Sequence, residues 1–367
     1  MINCRHFLPA ALCLALASFA ASPVAGAATK KVRSKESIEA ATRLQVFLDR
    51  AEFAPGKIDG RYGEFTIKAL ALYRESKGEA VAAPVPPPDH KKKSAPAHEV
   101  APDVAGLDLA SVNPVFLNYA VTEADLNAVG ELAGSVPAQA KQKSLPYKSA
   151  AEAVAERFHT DVDFLGELNP GKTKTIKVGD VLAVPNVEPF DLPAVKDIQA
   201  GSEIAANDMD EEADQKKSGK TEKKDKESEG TPPTTSVKVD TKTNMLSVYD
   251  AGQLVAAYPV TIGSARTASP VGDWKVRGVA KMPNFRYDKA MLNKGQRSGD
   301  FHMLPPGPNN PVGVIWIQLN KKGIGLHGTS DPDDIGRNAS HGCVRLANWD
   351  IVRLATKVKT GVPVSIH

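Results

Sequence analysis

The residues that could do chemistry are gathered in one short stretch, Ser340-His341-Gly342-Cys343-Val344-Arg345, with His327-Gly328-Thr329 a little upstream. A cysteine attacks as its thiolate, and an unperturbed thiol, with a pKa of about 8.5, is mostly protonated at neutral pH. A neighbouring imidazole removes that obstacle by taking the proton. Two imidazoles qualify. His341 lies two places before Cys343, so in extended backbone both side chains point the same way. His327 ends an expected strand and reaches Cys343 only through the fold. Gly328 and Gly342 permit close backbone approach. The N–H groups of Gly342 and Cys343 could hold an oxyanion formed on a carbonyl. Arg345 suits paired hydrogen bonds to a carboxylate.

Other readings of these residues compete. His302, His327, His341, Cys343 and Asp331 supply ligand types for zinc, but their spacings fit no zinc pattern, so no metal or other cofactor is expected. A lone cysteine is also an ordinary core residue, and the histidines could be purely structural. The remaining cysteines, Cys4 and Cys13, sit at the start of the chain. There Arg5 and His6 precede an apolar run from Phe7 to Ala21, and Ala25-Gly26-Ala27 follows. This pattern predicts a signal peptide over 1–27 and delivery to the periplasm. The run is short for a span of about 20 residues and is broken by Pro9, so no membrane span is expected after cleavage. Cleavage would leave Cys343 as the single thiol, unable to form an internal disulfide.

The elements that must position this site occupy a chain of 367 residues, long enough for roughly two to three domains. A net charge of +3 is nearly balanced and gives no reason to invoke nucleic acid. Over 35–78, Leu44, Phe47 and Leu48 make one apolar helical stripe and Ile67, Leu70 and Tyr73 another, with Pro55-Gly56 and Asp59-Gly60 breaking the pattern between them. Gln45 and the turn Ile58-Asp59-Gly60-Arg61-Tyr62-Gly63-Glu64-Phe65-Thr66 resemble the small helical peptidoglycan-binding domain, with Arg74 where that family carries a second Gln. Residues 79–106 read as a linker, with Pro84, Pro86, Pro87, Pro88 and Lys91-Lys92-Lys93.

Over 107–190, helical spacing runs from Ala150 to Phe158, and Phe164, Leu165 and Leu168 suggest a second helix ended by Asn169-Pro170-Gly171. Val178-Gly179-Asp180-Val181-Leu182-Ala183-Val184-Pro185 closes the segment, and Tyr119-Ala120-Val121 opens it. This order is similar to a divergent LysM module, equally suited to binding glycan or to packing on a neighbour. The tract 201–235 is mostly Asp, Glu, Lys, Ser, Gly and Pro, with mixed charge, and it reads as a disordered tether. From Ser236 onward the pattern is β-rich, with a hairpin turn at Asp250-Ala251-Gly252 and strands over Trp274–Val279, Val314–Leu319, Ile324–Leu326 and Val362–Ile366. One helix stands out near the end. Asn348 is placed to cap it, Ile351, Leu354, Ala355 and Val358 form its apolar face, and Gly361 follows it.

His327-Gly328-Thr329, Ile335-Gly336 and Ser340 through Leu346 resemble the signature of the L,D-transpeptidase catalytic domain (YkuD family). Tyr258-Pro259-Val260…Gly263 and Ser269-Pro270-Val271-Gly272 match two further segments of that family, and the likeness covers 236–367. The resemblance implies an enzyme in which Cys343 attacks the carbonyl of the third residue of a peptidoglycan tetrapeptide stem, releasing the terminal D-Ala and forming a thioester. His327 would be the base, oriented by the carbonyl of Gly328. His341 and Gly342 would support the intermediate, and Ser340 and Arg345 would bind the stem. An amine of a neighbouring stem would resolve the thioester as a 3→3 cross-link. The family also uses water or a lysine of an outer-membrane protein as acceptor.

The expected architecture is therefore multidomain: a small all-α N-terminal domain, an α+β LysM-like module, and a β-rich catalytic domain with one main helix. Sortase orders His, Cys and Arg similarly, but the gap from His327 to Cys343 is short and its "TLxTC" segment is absent. Papain-like and NlpC-type peptidases place Cys before His. A non-catalytic wall-binding protein is the alternative from another class, and intact Cys343, His327 and His341 oppose it.

Overall fold

Alternation of apolar and polar residues through the last third of the chain produces the strands of one large sheet. A computed structural model describes residues 33–79, 100–190, 192–194, 232–263, 269–294, 298–321, 323–336 and 342–367. The predicted signal peptide (1–27), most of the two expected linkers, Ser340 and His341 lie outside the described residues.

The eight-stranded sheet is built from β3 (Thr235–Asp240), β4 (Met245–Asp250), β5 (Gln253–Pro259), β6 (Gly272–Lys281), β9 (Ile315–Leu319), β10 (Gly325–His327), β11 (Val344–Arg345) and β12 (Pro363–Ile366). Its strand order is β11-β10-β9-β6-β12-β3-β4-β5. The β10–β11 and β12–β3 pairs are parallel, and the other neighbours are antiparallel. Helix α8 (Asn348–Lys357) follows β11 directly. Its Ile351, Leu354 and Ala355 recur at helical spacing and, with Val358 in extended backbone just past its end, pack into the core with Val237, Leu246, Val279, Ile317, Leu326 and Val344. A separate hairpin, β7 (Phe285–Tyr287) with β8 (His302–Leu304), flanks the short helix α7 (Lys289–Lys294).

The N-terminal region is mainly helical. Helices α1 (Lys35–Arg50) and α2 (Glu64–Ser76) are joined by a turn that Gln45 organises. Its buried side chain accepts from the N–H groups of Asp59 and Gly60 and donates to the Asp59 carboxylate and the Arg61 carbonyl. Gly60 adopts φ +64°, in the left-handed region that favours glycine. The following α+β unit pairs β1 (Phe116–Ala120) antiparallel with β2 (Val181–Pro185). Between them lie α3 (Glu123–Asn127), α4 (Val136–Gln139), α5 (Ala150–Arg157) and α6 (Val162–Leu168).

These parts share one compact unit, Lys35–His367. Leu44, Leu48 and Phe53 of the helical pair pack with Met245, Leu254 and Ala257 of the sheet. A fully buried leucine contributes about 1.5–3 kcal/mol, so this contact is a true core rather than a touching surface. A polar knot joins three parts of the chain. Asp49 of α1 receives a two-pronged hydrogen bond from Arg353 of α8, at 2.9 and 2.8 Å, and lies 3.1 Å from His159 Nδ1. The ring of His159 stacks on Trp349.

Candidate active site

Strand pairing brings two of the sequence-predicted residues, His327 and Arg345, together. Strand β11 runs parallel to β10, with Val344 opposite Leu326 and Arg345 opposite His327. Val344 and Leu326 are fully buried in the core. Side chains alternate across a strand, so Arg345 and His327 point to the other face, and Cys343 lies just before β11, two residues ahead of Arg345. Backbone bonds fix the register, since Leu346 donates to the carbonyl of His327 at 2.8 Å. Arg345 and Thr261 exchange both backbone bonds at 2.9 Å on the far side of β11.

His327 is 4% exposed. Its Nδ1 lies 2.6 Å from the carbonyl oxygen of Gly328. A carbonyl only accepts, so Nδ1 carries the proton and Nε2 is left basic. Burial, with the positive charge of Arg345 as the next cause, pushes the imidazole down to about 3, against the lesser upward pull of the Gly328 carbonyl. It is neutral at physiological pH and able to accept a proton.

The Cys343 thiol is half-buried and donates weakly to the carbonyl of Gly323 at 3.6 Å. Burial raises it above its ordinary value, against the opposing pull of the Gly325 backbone N–H and of Arg345. Both shifts favour the uncharged forms, thiol and neutral imidazole. Gly342 adopts φ +120°, a conformation that side chains resist, and this shapes the approach to Cys343. Burial also lowers Arg345, and its Nε has no hydrogen-bond partner among the described residues. That leaves a cationic donor beside the thiol with capacity for an anionic ligand.

Three residues that sequence reasoning missed support the site. Trp316 of β9 pairs with His327 and stacks its ring on the imidazole. Asn348 does not cap α8. The N-cap is Ala347 and no side chain caps the helix, because the Asn348 carboxamide is turned into the core, where its oxygen accepts from the N–H of Val314 at 3.2 Å. Its nitrogen donates to the third residue, Glu156 of α5, at 3.0 Å. Asn before an apolar helical stripe looks like a cap in sequence, and nothing local signals a contact almost two hundred positions away.

The proline-rich stretch from Pro305 to Pro311 is held from outside the sheet. Leu145 donates to the carbonyl of Pro306 at 2.9 Å and accepts from Asn309 at 3.1 Å. Lys57 of the helical turn bridges Asp161 and Asp333. Among the other sequence candidates, His302 lies on β8 opposite Tyr287, and Asp331 caps a short 3-10 turn.

Residues 234–366 match the family model of the L,D-transpeptidase catalytic domain, YkuD. The C-terminal part of this chain is an L,D-transpeptidase catalytic domain. Its matched segment begins at β3 and ends with β12, so it contains the whole eight-stranded sheet and α8. The protein named L,D-transpeptidase YkuD in Bacillus licheniformis is 32% identical over 121 residues, covering 33% of this chain and 58% of that protein. Its namesake in Bacillus subtilis is 30% identical over 131 residues, covering 36% of this chain and 63% of that one. The protein named L,D-transpeptidase YbiS in Escherichia coli is 32% identical over 114 residues, covering 30% of this chain and 37% of its own length. The chain thus spans less than two thirds of each of these relatives. Peptidoglycan cross-linking is implied at the level of the family.

Proposed function

We propose that this protein is a cysteine-dependent L,D-transpeptidase acting on peptidoglycan stem peptides in the periplasm. The observation that carries the reading is the β10–β11 register, which pairs His327 with Arg345, two residues on from Cys343. In the proposed reaction Nε2 of His327 takes the thiol proton as sulfur attacks the carbonyl of the third stem residue. The tetrahedral oxyanion collapses and the C–N bond to the terminal D-Ala breaks. The imidazolium returns its proton to the departing amine, leaving a thioester on Cys343. An acceptor amine then attacks the thioester, loses a proton and regenerates the thiol.

His327 is the base in this reading because its tautomer is set by Gly328. His341 supports the intermediate, and Ser340 with Arg345 holds the stem. The helical pair is assigned to the wall as well, through its likeness to peptidoglycan-binding domains. The test is to incubate the mature chain with purified disaccharide-tetrapeptide and weigh the products. A cross-linked dimer supports transpeptidation, and a tripeptide alone indicates transfer to water. Failure to acylate Cys343 would sink the proposal, as would a Cys343→Ala variant that still turns over. His327→Ala should slow thioester formation more than His341→Ala does.

A further inference from the structure

We infer that Glu156, on the central α+β unit, is a positioning residue for the catalytic domain, acting through Asn348 on the Gly328 carbonyl that orients His327. Its catalytic consequence rests on the acyl-transfer reading of Cys343 and His327.

The Asn348 carboxamide is wedged between two glycines. A Cβ added at Gly313 would lie 2.1 Å from the Asn348 oxygen, and one added at Gly328 would lie 2.2 Å from it. Gly328 is the residue whose carbonyl receives the Nδ1 proton of His327. The carboxamide therefore fills the space directly behind the group that sets the imidazole tautomer. Its orientation is decided by its partners. The oxygen must face the Val314 N–H, a donor, and the nitrogen then faces Glu156 at 3.0 Å and the carbonyl of Pro308 at 3.3 Å. A flipped amide would oppose two donors at Val314.

Glu156 supplies the shorter of the two acceptors for that nitrogen. Its Oε1 is itself held by the Tyr147 hydroxyl at 2.7 Å. The same α+β unit fixes the second acceptor, because the loop carrying Pro308 is tied to Leu145 by two backbone bonds, and Asn309 donates to the carbonyl of Pro146 at 2.7 Å. An apolar side chain here would avoid desolvating a carboxyl but would strand the Tyr147 hydroxyl and the Asn348 amide, and with it the orientation of the carboxamide behind Gly328. The α+β unit thereby becomes part of the machinery that aims His327, whatever else it binds.

The test compares the mature wild type with Glu156→Gln and Glu156→Leu by single-turnover thioester formation with disaccharide-tetrapeptide. Iodoacetamide alkylation of Cys343 is followed by mass spectrometry. Displacing catalytic groups by about 1 Å costs up to roughly a hundredfold, so Glu156→Leu should acylate about tenfold to a hundredfold more slowly with KM unchanged. Glu156→Gln, which keeps an acceptor for Asn348 and Tyr147, should stay near wild type. A purely structural role would lower the melting temperature of Glu156→Leu and leave acylation by the folded protein unchanged, and that result overturns the inference. So does a Gln variant as slow as the Leu variant. If Glu156→Leu does not fold, Glu156→Asp, which draws the carboxylate back from Asn348, carries the same comparison. If the wild type forms no thioester, the transpeptidase reading fails by itself. The alkylation rates then decide the role of Glu156, a slower rate in Leu alone supporting it and equal rates refuting it.

Discussion

The indole of Trp316 lies parallel to the imidazole of His327, with centroids 5.4 Å apart and planes 12° from one another. The indole covers one face of the imidazole, and burial is the leading reason the ring stays neutral. His327 should therefore titrate at about 3, with no transition near 6.5, when its ring is followed by NMR in the intact chain. The linked stability follows the same sign. The lowered imidazole contributes stability that is complete above its unfolded value of 6.5 and is lost as pH falls from there toward about 3. Trp316→Ala opens that face and should move the midpoint upward.

Arg345 acts on both the imidazole and the thiol through its charge, lowering His327 and opposing the rise of Cys343. Arg345→Met should raise the titration of both. Iodoacetamide alkylation of Cys343 at fixed neutral pH would then slow, and the whole rate profile would move to higher pH. Arg345→Lys keeps the charge and should lie closer to wild type. An unchanged profile in Arg345→Met would refute the electrostatic role.

The buried carboxyl of Asp49 would be raised by burial alone, but Arg353 and His159 hold it well below the usual carboxylate range. Removing one partner of a buried pair leaves an uncompensated charge at a cost of about 3–5 kcal/mol. Arg353→Met should destabilise the chain by that amount in urea unfolding. The loss should be smaller in Asp49→Asn/Arg353→Met, where no carboxylate is stranded.

Glu156 makes stability fall with pH. Burial raises its carboxyl from 4.5 to about 7, while the hydrogen bonds from Tyr147 and Asn348 pull the other way and nearby Glu152 adds to the rise. The folded state binds the extra proton, so this contribution is full below 4.5 and is lost as pH rises through about 7. At 1.36 kcal/mol per unit, the span between these values is worth on the order of 3 kcal/mol. Glu156→Gln should gain on wild type across that window, measured by denaturant midpoints at a series of pH values.

Much of the site was legible because its residues are contiguous or lie on adjacent strands. Cys343, Arg345 and the preceding glycine form one short run, and His327 closes a strand whose apolar alternation is plain. The β-rich pattern of the last third and the apolar face of α8 were legible for the same reason, since a period of two or of 3.6 is a local property. What sequence could not carry was long-range. Asn348 looked like a helix cap because Asn is favoured there, and only tertiary packing turns its amide toward Val314 and Glu156. Trp316 reads as one more strand residue until β9 is paired with β10. The Pro-rich and charged tracts suggested modules strung on tethers, whereas Leu44, Leu48 and Phe53 share a core with the sheet.

Strand β5 is the last in the sheet order, and an outermost strand normally offers unpaired backbone groups to any passing chain. Here the segment after α1 lies alongside it, where Ala257 donates to the carbonyl of Glu52 at 2.9 Å and accepts from Ala54 at 2.8 Å. The helical pair thus blunts the sheet's open border. A version of the catalytic domain cut free of residues 35–78 would bare both that border and the apolar side chains beneath it, and would be prone to self-association.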